Sequence, residues 1–170
     1  MRAGAFKATR LGEKRGEKMR FCVATILAWA LCATAAAEAL PPARDLAADG
    51  RDARATGAVI VVLFSTPGCP YCRQVREGYL RPLAADPAQR VLVREIEVGS
   101  ALPVVDFSGR DATHAEVART RRVRLVPYVV FLGPDGASLA DPLIGINSLD
   151  FYGGLLERRL ETARGKLAAH

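Results

Sequence analysis

The stretch Ala58-Val-Ile-Val-Val-Leu-Phe64, continued by Ser65-Thr-Pro-Gly68 and then Cys69-Pro70-Tyr71-Cys72, decides how this chain is interpreted. The apolar run is mostly β-branched and predicts a strand that is buried on both faces. The segment from about Pro70 to Ala85 has apolar residues at helical spacing and predicts a helix, which Pro82 should kink. A strand, a turn, two cysteines with two residues between them and a helix form an order typical of thiol–disulfide chemistry.

The position of each cysteine predicts its role. Cys69 falls at the helix N-terminus, where unpaired backbone N–H groups and the helix dipole favour a thiolate nucleophile. Pro70 suits the first helical turn, and Cys72 lies close enough to resolve a mixed disulfide formed on Cys69. Tyr71 adds no charge, so we expect a reduction potential between roughly −270 and −120 mV. No obvious charge near the motif would strongly stabilise the dithiol form, which favours a reductase over an oxidase or isomerase.

The positive charge of the chain is concentrated at its front end. Residues 1–37 hold seven of the 24 Lys and Arg residues and two of the 18 Asp and Glu residues, a net charge of +5. The remainder carries a net charge of +1, so no basic surface of the domain calls for nucleic acid as a partner. The length is that of one modest domain, and the hydrophobic content of 50% argues against disorder.

The front end has the pattern of a secretory signal peptide. An apolar stretch follows Met19-Arg20 and ends in the small residues Ala35-Ala36-Ala37, which predicts translation from Met19 and cleavage after Ala37. An uncleaved membrane anchor is the alternative, but the apolar run is short for a bilayer. Cleavage leaves the two cysteines of the motif and predicts a periplasmic protein, if the source is a Gram-negative bacterium.

Two regions follow the predicted signal, residues 38–57 and residues 58–165. Residues 38–57 form an extended leader and a short helix at Ala43–Arg54, which Gly50 should interrupt. Residues 99–111 predict a long irregular connection, and Thr113 and Glu116 have the spacing of a capping box. The further predicted elements are a strand at Val91–Val98, a helix at His114–Arg121, a strand at Tyr128–Leu132, a turn at Gly133–Gly136, a hairpin partner at Ala137–Ile144, and a final helix capped by Ser148 with Tyr152, Leu155, Leu156, Leu160 and Ala163 on one side.

These elements predict an α/β fold. Strands separated by helices favour parallel pairing, whereas the Gly133–Gly136 turn requires one antiparallel pair. The expected architecture is a central mixed four-stranded β-sheet flanked by helices.

This arrangement resembles the thioredoxin superfamily from about Ala43 to Ala163. The residues that carry the resemblance are the buried strand, the CPYC motif, Val126-Pro127 before a strand and the hairpin before the last helix. The resemblance implies that Pro127 is cis and lies beside the CxxC motif. It also implies that Pro70, Tyr71, Val126 and Pro127 bind an extended substrate strand. The CPYC tetrapeptide is similar to glutaredoxin, whereas the signal, the helix after Thr113 and the carboxy-terminal segment look more like exported bacterial thioredoxins of sulfur oxidation and disulfide handling.

The chain departs from the family pattern near the motif. Gly68 stands where thioredoxins usually carry Trp, and Leu63 stands where they carry a buried Asp, so the proton acceptor for Cys72 is unassigned. Glu95 or Glu97 is a candidate, although a solvated carboxylate at a strand end is the expected state of either. Val126 before the proline is similar to the disulfide-forming Dsb oxidases, which leaves the direction of electron flow open.

Other function classes remain as alternatives. A copper(I)-binding metallochaperone would bind the metal through both thiolates. Zinc would need further ligands, and the two histidines are poor candidates, because we expect His114 on a helix surface and His170 at a frayed end. A chaperone with incidental thiols is a third class. The Arg119–Arg124 run is expected to be solvated, and Phe151-Tyr152 is expected to pack in the core. The overall prediction is a monomeric exported thiol–disulfide oxidoreductase without cofactor or metal. Its partners would be protein disulfide or thiol substrates, with a membrane electron-transfer protein as candidate donor.

Overall fold

A computed structural model of the chain describes residues 39–146 and 148–169. The predictions of a start at Met19, a signal peptide and cleavage after Ala37 lie outside these residues. Within the described ranges, no helix is long and apolar enough to span a membrane.

The central sheet has four strands in the order β2-β1-β5-β6. β1 pairs parallel with β2 and antiparallel with β5, and β5 pairs antiparallel with β6. The prediction of a mixed four-stranded sheet is therefore confirmed. The strand bounds are Val59–Ser65 for β1, Val91–Glu97 for β2, Tyr128–Leu132 for β5 and Ser138–Ile144 for β6.

The helices cover both faces of the sheet, and the one after the CxxC motif is not uniform. Its first segment, α2, is followed by a π turn at Arg76–Leu80 and then by α3, so the irregularity lies in the π turn that precedes Pro82. The helix bounds are Leu46–Thr56 for α1, Pro70–Val75 for α2, Arg81–Ala85 for α3, His114–Thr120 for α4 and Leu149–Ala168 for α5, with a 3₁₀ turn at Pro87–Gln89.

The long connection after β2 is not irregular, so that prediction is wrong. It contains a hairpin of two short antiparallel strands, β3 at Pro103–Val105 and β4 at Asp111–Thr113. Each strand has three residues, too few to produce a hydrophobic period. The leader lies between this hairpin and the central sheet, because Pro42 bridges Glu95 of β2 and Asp45 bridges Val105 of β3.

α1 continues through Gly50, contrary to the expected interruption. Asp45 caps the helix by accepting a hydrogen bond from the Ala48 N–H at 2.7 Å. A Cβ added at Gly50 would collide with the carbonyl oxygen of Pro134. Glycine therefore allows the turn before β6 to approach the helix closely, at some cost in helix propensity.

Two apolar cores form, one on each face of the sheet. Alternate β1 residues divide between them, with Val61 and Leu63 in the first core and Val62 and Phe64 in the second. The first core lies under α2 and α5, and the second lies under α1 and α4. The members of α5 in the first core are Tyr152, Leu156, Leu160 and Ala163.

Two predictions about α5 need correction. Phe151 does not pack in the core: it is 72% exposed, whereas the adjacent Tyr152 is buried. Ser148 stands at the N-cap position of α5, but its side chain makes no capping hydrogen bond.

The capping box of α4 is confirmed, with the Glu116 carboxylate accepting from the Thr113 N–H at 2.8 Å.

Candidate functional site

The CxxC motif begins where β1 ends. Ser65 closes the strand, and the turn that follows reaches Cys69 through Gly68, whose φ is +72°. A positive φ strains any residue with a Cβ, which explains why glycine suits this position. Cys69 is the N-cap of α2, and Pro70 stands in the first turn, as the sequence predicted.

The two cysteines form a disulfide and differ in accessibility. Cys72 is fully buried, whereas Cys69 is partly exposed. The Cys72 N–H donates to Cys69 Sγ at 3.1 Å, and the Arg73 N–H donates to the Cys69 carbonyl at 3.2 Å. The first turn of α2 thus directs the Cys72 N–H group at the Cys69 sulfur, an arrangement that favours negative charge on this sulfur after reduction.

Val126 and Pro127 lie at the same end of the sheet as the disulfide. Their peptide bond is cis, and the adjoining Tyr128 is in register with Phe64 near the end of β1. Pro127 is buried, Val126 is partly exposed, and the Pro127 carbonyl accepts from the Gly145 N–H at 2.8 Å. All six predicted site residues therefore lie at the end of the sheet where β1 finishes and β5 begins.

Three large apolar side chains are exposed around this end of the sheet. Tyr71 and Leu125 are each 58% exposed, and Ile144 is 50% exposed. Leu125 lies against Gly145, and Ile144 is in register with Tyr128. Sequence reasoning missed Leu125 and Ile144 as surface residues, because each continues an apolar pattern that leads into or out of a strand.

Glu95 is not a solvated carboxylate, which corrects the prediction. Its side chain is 14% exposed and accepts hydrogen bonds from Ser65 Oγ at 2.6 Å and from Arg76 Nε at 2.9 Å. Arg76 Nη2 also donates to Glu95 at 2.5 Å, and this pairing raises the pKa of Arg76. Ser65 and Arg76 were not predicted as site residues. The available signal was the spacing, because Arg76 follows Cys72 by four residues and so shares its helix face.

His114 is buried rather than on a helix surface. Its Nδ1 accepts from the Glu97 N–H at 3.1 Å, and its Nε2 lies 2.8 Å from the Ala43 carbonyl, to which it donates. The side chain therefore connects α4 with β2 and the leader and is not free to bind a metal. Within the described residues, no group of three or more His, Cys, Asp and Glu side chains could hold a metal ion.

The Arg119–Arg124 run is not uniformly solvated. Arg121 donates from Nη2 to the Gly136 carbonyl at 2.7 Å, and its guanidinium stands 6.0 Å from the centre of the Phe107 ring. Burial lowers the pKa of Arg121. This residue ties the end of α4 to the turn before β6, whereas Arg122 and Arg124 are exposed.

Comparisons with known proteins found a family model and solved structures that are similar to this chain. A family model described as Thioredoxin-like domain matches residues 46–152. A solved structure named DsbH Oxidoreductase is 13% identical, with a TM-score of 0.51 and coverage of 75% of this chain and 89% of the other. The periplasmic thioredoxin SoxS from Paracoccus pantotrophus is 21% identical, with a TM-score of 0.41 and coverage of 62% and 98%. Mitochondrial thioredoxin 3 from Saccharomyces cerevisiae is 20% identical, with a TM-score of 0.45 and coverage of 72% and 93%.

At these identities the likeness to solved structures concerns the fold alone. A comparison with curated protein sequences gave no match. The family match spans every strand of the central sheet together with the Cys69–Cys72 pair. This chain accordingly belongs to the thioredoxin-like domain family, as a thioredoxin-like oxidoreductase with a CxxC motif.

Proposed function

We propose that this protein is an exported, periplasmic thiol–disulfide oxidoreductase that reduces disulfides of partner proteins. The observation that carries the proposal is the asymmetry of the Cys69–Cys72 pair, in which Cys69 is partly exposed and Cys72 is fully buried. A partner sulfur can reach Cys69 while Cys72 stays shielded. This division suits a nucleophile and a resolving group.

The reaction begins with the reduced pair. The Cys69 thiolate attacks one sulfur of the partner disulfide, a mixed disulfide forms, and the partner's other sulfur leaves as a thiolate and takes up a proton. Cys72 then loses its proton and attacks Cys69 Sγ, which releases the second partner sulfur. The partner gains two electrons, and the protein ends with the disulfide between Cys69 and Cys72.

The surface around the disulfide supports a protein substrate. Tyr71, Leu125 and Ile144 present apolar area beside a partly exposed sulfur, and a partner segment carrying a cysteine would cover that area. We assign Pro70, Tyr71, Val126 and Pro127 to the contact with this segment. We also expect a monomer, and a membrane electron-transfer protein as the donor that restores the dithiol.

Export is supported by the sequence at the front end. Its basic residues precede an apolar stretch and an Ala-rich cleavage pattern, and cleavage would leave two cysteines in the mature chain. Sequencing the amino terminus of the protein recovered from a cell fraction tests this. A mature protein beginning at Glu38 in the periplasmic fraction supports export, and a cytoplasmic protein with an intact front end contradicts it.

The reduction potential of the purified protein tests the reaction and its direction. The protein would be equilibrated in glutathione buffers, and the reduced fraction would be followed by thiol labelling of Cys69. A two-electron transition below about −200 mV supports a reductase. A midpoint above about −150 mV would assign the protein to disulfide formation or isomerisation instead. Cys72→Ser, which should trap mixed disulfides without a two-electron transition, is the matched control.

A further inference from the structure

An ion pair lies beneath the helix that carries the cysteines. Arg76 and Glu95 have side chains that are 21% and 14% exposed, and two hydrogen bonds join them. Ser65, a buried residue, donates a third hydrogen bond to the same carboxylate at 2.6 Å. The pair thus links the end of β1, the middle of β2 and the active-site helix.

The position of the pair relates it to Cys72. The Arg76 N–H donates to the Cys72 carbonyl, so Arg76 stands one helical turn after Cys72 on the same face. Glu95 is in register with Leu63, whose side chain lies in the core beneath α2. The guanidinium and the carboxylate are therefore on the side of the sheet toward which Cys72 is buried.

Each charge of the pair has a defined effect on the cysteines. An uncompensated cation one turn from Cys72 would stabilise a thiolate and hence the reduced state, which makes a disulfide more oxidising. A carboxylate at hydrogen-bond distance cancels most of that field. Among the described residues, Glu95 is the carboxylate that forms an ion pair with Arg76.

We propose that Glu95 keeps the Cys69–Cys72 pair reducing by neutralising Arg76, which makes Glu95 a positioning residue that sets the reduction potential. This inference rests on the proposed redox function. It also gives a reason for the reductase direction that does not depend on the residues between the cysteines.

The test is the equilibrium with glutathione. Two glutathione thiols reduce the Cys69–Cys72 disulfide to two thiols and become one glutathione disulfide, so atoms and electrons balance. Glu95→Gln retains the shape and the hydrogen bond from Ser65 but removes the charge. We expect the equilibrium to shift about tenfold toward the reduced protein, which corresponds to a potential about 30 mV higher.

Variants of Arg76 give the opposite sign. Arg76→Gln leaves the carboxylate uncompensated, so the equilibrium should move toward the disulfide. The double variant Arg76→Gln/Glu95→Gln should return close to wild type, and Arg76→Lys should stay close to it. The two single variants of Arg76 lie at a partly exposed helix position, so they keep the test available if Glu95→Gln folds poorly.

A second ion pair on the same strand supplies a matched control. Arg94 adjoins Glu95 but points to the other face of the sheet, where it donates to Asp49 at 2.6 Å. Asp49→Asn should lower stability without moving the glutathione equilibrium. A Glu95→Gln shift below about twofold, or one that Asp49→Asn reproduces, would overturn the inference while leaving the redox function intact. Absence of a two-electron transition in the wild type would instead refute the proposed function itself.

Discussion

His114 offers the sharpest test of how the leader is held to the rest of the domain. It is 1% exposed, and its ring bridges the Ala43 carbonyl and the Glu97 N–H. Replacing it with Leu keeps most of the volume but leaves both backbone groups without their partner. An unsatisfied buried group costs about 1–3 kcal/mol, and some relaxation toward water is expected. We therefore expect His114→Leu to lower the free energy of unfolding by about 2–4 kcal/mol.

His114→Ala separates hydrogen bonding from packing. It removes the same two hydrogen bonds and also leaves a cavity, so its loss should exceed that of the Leu variant by about 1–2 kcal/mol. Urea unfolding of the oxidised protein, followed by circular dichroism, measures both values, with an unchanged m-value as the sign of intact two-state behaviour. Arg119→Ala is the control, because this side chain on the same helix is 76% exposed and should leave the midpoint unchanged. A loss below about 1 kcal/mol for His114→Leu would refute the reasoning, since it would mean that water or another group satisfies both backbone atoms.

Three further predictions follow from single side chains. Gly50→Ala should destabilise the protein by about 1–3 kcal/mol because the new Cβ meets the turn before β6, whereas Gly165→Ala, with open space at its Cβ, should be neutral or stabilising. A hydrogen bond from the Ser108 hydroxyl is the largest cause that lowers the pKa of Asp106 from 3.8 to about 2. The stability that the ionised Asp106 carboxylate contributes should thus be present above about pH 4 and be lost as the pH falls toward 2. NMR titration of Asp106 should show a higher midpoint in Ser108→Ala than in the wild type. Tyr152→Phe should leave stability unchanged or raise it by up to about 1 kcal/mol in thermal unfolding, because the buried hydroxyl has no hydrogen-bond partner among the described residues.

The elements with strong local signals could be predicted from the sequence. The β-branched run gave β1, the Thr113–Glu116 spacing gave the start of α4, and the Gly133–Gly136 turn gave the hairpin of β5 and β6. Each of these depends on interactions between residues near one another in the chain. Local chemistry therefore sufficed for the central sheet and for the position of the CxxC motif.

The missed features depend on contacts between distant residues. The hairpin of β3 and β4 consists of strands too short to show a period, and the leader that pairs beside it has no strand pattern of its own. His114 has the sequence context of an exposed helix start, yet the leader covers it. Gly50 lowers helix propensity, and the reason for a glycine there is a tertiary contact, because the Pro134 carbonyl leaves no room for a Cβ.

The environment of Glu95 shows how an apolar strand and a tertiary contact explain each other. Leu63 faces the core beneath α2 together with Val59 and Val61, so this core receives no charge from β1. The parallel register places Glu95 beside Leu63, on the face that Val91 and Val93 fill with apolar side chains. A carboxylate on an apolar face needs a partner, because an unpaired buried charge is costly. Arg76 supplies that partner from the helix of the cysteines. The sequence could name Glu95 as a candidate acid, but its ion pair with Arg76 could be recognised only after strand register and helix face were known together.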